Sequence, residues 1–271
     1  MKSLFFPLVA IVATGLSTRL CAEVVFSDEF NKPGSSSDSD WYVRGENLKD
    51  ENNVSGGSLL LARKDREQAV PRAGGVWKSF SQVSLKEGQT LRLTAVFSGA
   101  EVESAPFFRV VLADSPNPVD SNGSILKESP PFFFYALGLT TGEASQGHPS
   151  NLGFLEVTRG TGTSSLMENL TPQDLKPIFQ DPQKVLGSGQ YDKKAVLVWE
   201  LSNKGGVIVS KGSWTGPDGV RTDMLEVQAE TVQHFDFNKV GIGFAVWDAN
   251  WANDLHLAES VSIDSVKLEK L

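Results

Sequence analysis

The stretch LRLTAVFS, residues 91–98, alternates: Leu91, Leu93, Ala95 and Phe97 fall on one side of an extended chain, and Arg92, Thr94, Val96 and Ser98 on the other. Successive side chains of a strand point to opposite faces, so this pattern suits a strand with one face in a core and the other in water. Similar signals mark strands near 24–28, 41–44, 58–62, 75–80, 107–113, 153–158, 195–202, 206–212 and 239–247. FFFYALGL at 132–139 is apolar throughout and is expected to be covered on both faces. Helical periodicity is scarce. The exception is TPQDLKPIF at 171–179, where Thr171 as cap, Pro172 at the first helical position and Pro177 as a stop predict a helix of one or two turns.

About a dozen short strands separated by Gly, Pro, Asn, Asp and Ser turns predict an all-β fold of two packed antiparallel sheets, a β-sandwich with little helix. Long loops are expected at 31–40, 114–131, 140–152 and 159–192. No internal repeat is visible, and the Ser/Asp tract near residue 35 is too short to link two domains. The simplest organisation is one domain over residues 23–271.

Residues 1–22 read as a secretory signal peptide: Lys2 supplies a basic start, Leu4 to Leu16 is apolar apart from Thr14, and Ala22 precedes the acidic Glu23. The apolar run is too short to span a bilayer. Leu20 stands where a lipid-attachment motif at Cys21 would want Gly or Ala. Cleavage after Ala22 removes Lys2, Arg19 and the single cysteine, leaving 23 basic against 33 acidic residues, a net charge near −10. The expected product is free in a periplasmic or extracellular space, without disulfides and without membrane association. It has to be held by its core, which is feasible because a chain of this size buries roughly three quarters of its unfolded surface. The acidic balance argues against nucleic acid and against polyanionic glycans as partners.

FSDEFN (Phe26 to Asn31) followed by Trp41, FNKVGIGFAVW (Phe237 to Trp247) and IDSVKLEK (Ile263 to Lys270) resemble the opening and closing strands of the concanavalin A-like lectin/glucanase jelly rolls, the superfamily that includes LamG-like domains. The resemblance spans nearly the whole chain after residue 22 in strand order and rests on short motifs. It implies two stacked curved sheets with first and last strands side by side, a concave face or rim that binds glycans, and a structural calcium.

The glucanase branch carries Glu-x-Asp-x-x-Glu on one strand, which aims three carboxylates into the cleft. Here EVESAP offers Glu101 and Glu103 at the right parity, but Ala105 and Pro106 occupy the remaining positions. Two solvated carboxylates at a strand end are the simpler reading. There is no Gly-x-Ser-x-Gly elbow, no His-Glu-x-x-His and no Walker loop, and His148, His234 and His256 are isolated in sequence. A lyase would need a Tyr or His base with a cation to neutralise a uronate, and Tyr191, Lys193, Lys194 and His234 contain those groups without a spacing that demands it.

The segment WDANWAND, residues 247–254, is the candidate binding site. In GIGFAVW, Ile242, Phe244 and Val246 form the expected core face, while Gly241, Gly243, Ala245 and Trp247 form a shallow trough. Sugars stack their C–H faces on aromatic rings and hydrogen-bond to Asp and Asn. Trp247 and Trp251 with Asp248, Asn250, Asn253 and Asp254 supply that chemistry; the competing reading is a loop plugged by Trp251 with Asx-capped turns. Trp214, in SWTGPDG, is a second turn-borne aromatic open to the same two readings. Trp199 shares parity with Leu197 and Leu201 and is expected in the core, and Trp77 is undecided.

If first and last strands pair, Asp28 or Glu29 and Asp264 meet, and hard oxygen ligands from two strands suit calcium. The apolar parity switches between Ile263 and Val266, as at a β-bulge that turns Asp264 aside. A salt bridge or hydrogen-bonded turn fits the same residues equally well. Three functions are open: a secreted, non-catalytic glycan-binding jelly roll with a neutral polysaccharide ligand, a lyase or hydrolase with an unfamiliar site, and a structural envelope or adhesion protein. The first accounts for the tryptophan pair and is carried forward.

Overall fold

A computed structural model describes residues 22–31, 34–35, 40–44, 53–62, 74–101, 107–116, 132–140, 154–160, 174–178, 189–231, 233–245 and 260–271. These form strands throughout, with no helix among the described residues. Numbered along the chain, one sheet contains β1 (Glu23–Asp28), β2 (Gly34–Ser35), β4 (Asn53–Ser55), β5 (Ser58–Ala62), β7 (Thr90–Glu101), β12 (Gly189–Lys204), β13 (Val207–Thr215), β14 (Arg221–Asp223), β15 (Val227–Gln228) and β17 (Ser260–Lys270). The other contains β3 (Tyr42–Arg44), β6 (Gly74–Ser84), β8 (Phe107–Asp114), β9 (Phe132–Thr140), β10 (Phe154–Gly160), β11 (Asp174–Pro177) and β16 (Asp236–Ala245).

The ten-stranded sheet runs β14-β13-β12-β7-β17-β5-β4-β2, with β1 on β17 and β15 on β13; the seven-stranded sheet runs β11-β10-β9-β8-β16-β6-β3. Every pairing is antiparallel, as short turns allow. The first and last strands lie together, Glu23 opposite Lys270 and Asp28 opposite Val266. The hairpin from β12 to β13 turns on Gly205 and Gly206, at φ 64° and 77°. Two consecutive positive φ angles define the tight turn that matches strand twist, and glycine adopts them without a Cβ penalty.

The period-two reading of residues 91–98 holds: Leu91, Leu93, Ala95 and Phe97 are fully buried, while their alternates keep partial exposure. Their core face meets the seven-stranded sheet, Phe97 packing edge-on against Phe108 at 5.7 Å. Trp199 is buried in this core, and its Nε1–H donates to Ser210 Oγ at 2.9 Å. The all-apolar segment at 132–139 becomes β9, with Phe134 to Leu139 buried without alternation.

The expected helix at 171–179 is corrected to a strand. Asp174 to Pro177 pairs along β10, from Val157 opposite Asp174 to Phe154 opposite Pro177. Two prolines within six residues leave room for about one helical turn, which a neighbouring strand with free backbone groups outcompetes. Pro177 is tolerated because β11 ends the sheet and its last residue has no further ladder to donate to.

Candidate functional site

The segment holding Trp247, Asp248, Asn250, Trp251, Asn253 and Asp254 lies outside the described residues, which stop at Ala245 and resume at Ser260. What leads into it is described. β16 runs between β8 and β6, with Val240 and Ile242 buried in the core. On its opposite face the trough expected at Gly241 is already filled. Trp77 of β6, directly across from Gly241, lays its ring there so closely that a Cβ on Gly241 would run into the ring carbons. Trp77 is 1% exposed, and among the described residues its indole N–H meets no acceptor.

Trp214 is corrected from turn to core. It lies within β13, 5% exposed, its ring 5.7 Å from Phe97. The turn begins after Thr215, so strand alternation sends the indole inward rather than onto a surface.

The calcium set is also corrected, because Asp28, Glu29 and Asp264 do not converge. Asp28 accepts the Trp41 indole N–H at 2.9 Å and the Phe30 amide at 3.0 Å, with Lys78 Nζ at 3.5 Å. Glu29 is exposed and accepts from Asn31 Nδ2 at 3.1 Å. The opening motif is therefore a lock on Trp41, whose indole packs beside Phe26 and Phe30. The bulge read near Asp264 is present, since register slips between Ile263 and Ser265. It turns the Asp264 carboxylate to Ser58 Oγ and to Lys194 Nζ, 2.7 Å away. Burial pushes that carboxyl up, but hydrogen bonds from Lys194, Ser58 and Ser98 and the Lys194 charge prevail and hold it below its ordinary range. The salt-bridge reading of Asp264 is the one realised.

Among the described residues weighed for lyase chemistry, Lys194 and His234 are not brought together. Lys194 is committed to Asp264 in the ten-stranded sheet, while His234 sits at the entry of β16 in the other. The side chain of Tyr191 and residues His148 and His256 are outside the described set, as are Glu103, Ala105 and Pro106.

His234 is not isolated in space. Its Nε2 lies 2.8 Å from Asp114 Oδ2, and its ring stacks on Phe133 with centroids 4.2 Å apart and planes 8° from parallel. Tyr135 Oη accepts the His234 amide at 2.9 Å and donates to its carbonyl at 3.1 Å. Asp236, two residues on, accepts from Ser84 Oγ. Asp114, His234 and Asp236 each present a ligand atom within 4.8 Å of the others, all three half-buried. Close by, burial pushes the Lys239 ammonium down to about 8 while the Asp114 charge holds part of it up. Lys239 Nζ donates to the Ser115 carbonyl and, at 3.2 Å, to Asn238 Oδ1. The pair His234–Asp236 has a sequence signal, since residues two apart share a face of an extended segment; Asp114 joins them only through the pairing of β8 with β16.

No protein-family model and no curated protein sequence matches the chain. Solved structures do. Basic winged bean lectin with Tn-antigen is similar over 91% of this chain and 97% of its own, at 12% identity and TM-score 0.50. Lectin I-B4 from Griffonia simplicifolia in its metal-free form is similar over 91% and 99%, at 15% identity and TM-score 0.50. An alginate lyase in complex with alginate trisaccharide aligns over 92% and 99%, at 10% identity and TM-score 0.45. The class is therefore set by architecture: the fold is a concanavalin A-like jelly roll.

Proposed function

We propose that this protein is a secreted, non-catalytic carbohydrate-binding jelly roll whose ligand is a neutral polysaccharide. The observation that carries the reading is likeness over nearly the whole chain to two lectins, a class defined by sugar binding, one of them with Tn-antigen. The strand preceding residues 247–254 lies inside the seven-stranded sheet, between β8 and β6, and that segment carries two indoles among Asp and Asn. Trp247 and Trp251 are assigned the stacking surface, and Asp248, Asn250, Asn253 and Asp254 the hydroxyl contacts. Export rests on the pattern of residues 1–22, and the acidic charge favours an uncharged ligand.

A glycan array run beside a reducing-sugar release assay tests this. Binding without product is expected; product at a catalytic rate overturns the non-catalytic reading, and no binding at all favours a structural role. Replacing Trp247 and Trp251 together by Ala is expected to abolish binding and leave the melting temperature almost unchanged. A large loss of stability in that variant identifies them as core residues instead.

A further inference from the structure

We propose that Asp114, His234 and Asp236 form a binding site for a divalent transition ion of the zinc or manganese class. The site is independent of the glycan reading and of the calcium ligands expected from sequence. Its ligands come from two neighbouring strands: Asp114 ends β8, and His234 and Asp236 lead into β16, which pairs with β8. One imidazole nitrogen and two carboxylate oxygens lie within 4.8 Å of one another. Around a tetrahedral ion with bonds of about 2.0–2.2 Å, neighbouring ligand atoms stand about 3.4 Å apart, so the His234–Asp114 pair, at 2.8 Å, opens slightly and the wider separations, up to 4.8 Å, close by about an ångström through side-chain rotation.

The chemistry of the set chooses the ion. Calcium takes six to eight oxygens, whereas an imidazole beside two carboxylates suits zinc or manganese. The ligands are also held in place, as metal ligands are by their surroundings. Phe133 fixes the plane of the His234 ring, Tyr135 Oη grips its main chain from both sides, and Ser84 Oγ orients Asp236. Two carboxylates face a single nearby ammonium, Lys239, which offsets part of the Asp114 charge and leaves the group short of one cation. Among the described residues no lysine or arginine pairs directly with Asp114 or Asp236, and the nearby Lys239 spends its donors on Ser115 and Asn238. In the ion-free state His234 Nε2 and Asp114 Oδ2 lie 2.8 Å apart, and a proton held on that ring nitrogen has to leave it before an ion can bind there. The ion replaces that proton, which moves to the other ring nitrogen or to solvent.

The experiment uses the untagged full chain, stripped with chelator and titrated separately with Zn2+, Mn2+ and Ca2+ by calorimetry, with thermal melts alongside. One Zn2+ or Mn2+ per chain is expected, with a rise in melting temperature and no comparable effect of Ca2+. His234→Gln and Asp236→Asn are expected to weaken that binding by about ten- to a hundred-fold or more, while Asp264→Asn leaves it unchanged. A Co2+-loaded sample supplies a second readout, its visible absorption present in wild type and lost in His234→Gln. Failure of every ion to bind, retention of full affinity in both site variants, or preference for Ca2+ each overturns the proposal.

Discussion

Along β7 of the ten-stranded sheet burial alternates, and the outward row carries Arg92, Thr94, Val96 and Ser98 in partial contact with water. Along β8 of the seven-stranded sheet it does not: Phe108, Arg109, Val110, Val111, Leu112 and Ala113 are all buried. β9 behaves in the same way, and β16 adds Lys239, 3% exposed, and Gly241 beneath Trp77. β7 thus shows a core face and a wet face, whereas β8, β9 and β16 in the middle of the other sheet are dry on both faces among the described residues. Charges follow suit. On the wet face Glu200 lies 2.6 Å from Arg92 and 3.2 Å from Lys211, a ladder across three strands. On the second dry face the cations Arg109 and Lys239 are taken out of water, where an ammonium is expensive to keep charged.

The largest test of this contrast compares two indoles. Trp199→Ala empties the shared core and is expected to cost about 3–5 kcal/mol. Trp77→Ala is expected to cost a similar amount, although its ring lies on the face away from that core. Chemical denaturation of both variants checks this, and a Trp77→Ala cost below about 1 kcal/mol would mean that the second face behaves as ordinary surface.

Lys239 provides the next effect, and its sign is unusual. Its folded value of about 8 is below the ordinary 10.5, so between those pH values the unfolded chain binds more protons than the folded one. Stability is then expected to rise with pH across this window, by up to about 3 kcal/mol if the whole shift is expressed. The penalty is fully present below pH 8. In Lys239→Met the rise attributable to this group should vanish; equal slopes in wild type and variant would place Lys239 in a wetter setting than its burial indicates.

How far the sequence foretold this depends on the range of the interaction. Alternation at residues 91–98, the continuous run at 132–139 and the bulge at Asp264 are local patterns, and each was readable because a strand's side chains obey a period of two. The helix at 171–179 misled because capping residues are local while the edge of β10 that captures Asp174 to Pro177 is not. Trp214 misled for a similar reason: SWTGPDG contains a turn, but the turn starts one residue after the indole's neighbour Thr215. The Asp114, His234 and Asp236 group was invisible as a group, since Asp114 and His234 stand 120 positions apart and only the β8–β16 register closes that gap.

A finer probe of the second dry face is Gly241→Ala. Its new methyl would collide with the Trp77 ring, which cannot swing aside freely because it is itself buried. A cost of about 1–3 kcal/mol is expected, as for overpacking. In the Trp77→Ala background the same methyl should cost much less, because the colliding ring is gone. Strict additivity of the two changes, measured by a double-mutant cycle, would show that the ring and the glycine do not meet.

The smallest expected effect is on the wet face. Burial pushes the Glu200 carboxyl up, but hydrogen bonds and charge from Arg92 and Lys211 outweigh it and hold the group below its ordinary 4.5. A depressed carboxyl contributes stability that is present above about pH 4.5 and is lost as pH falls through the folded value. Because Arg92 and Lys211 remain 38% and 47% exposed, water and salt screen the pairing. Glu200→Gln is therefore expected to cost about 1–2 kcal/mol at pH 7, less than removal of a fully buried partner, and to flatten the acid limb of the stability curve. Molar salt should shrink the difference between wild type and variant, whereas the Trp77→Ala and Trp199→Ala costs, which come from packing, should not shrink with it. If salt leaves the Glu200→Gln cost untouched, the ladder is as dry as the opposite sheet and the contrast between the two sheets fails at its wet end.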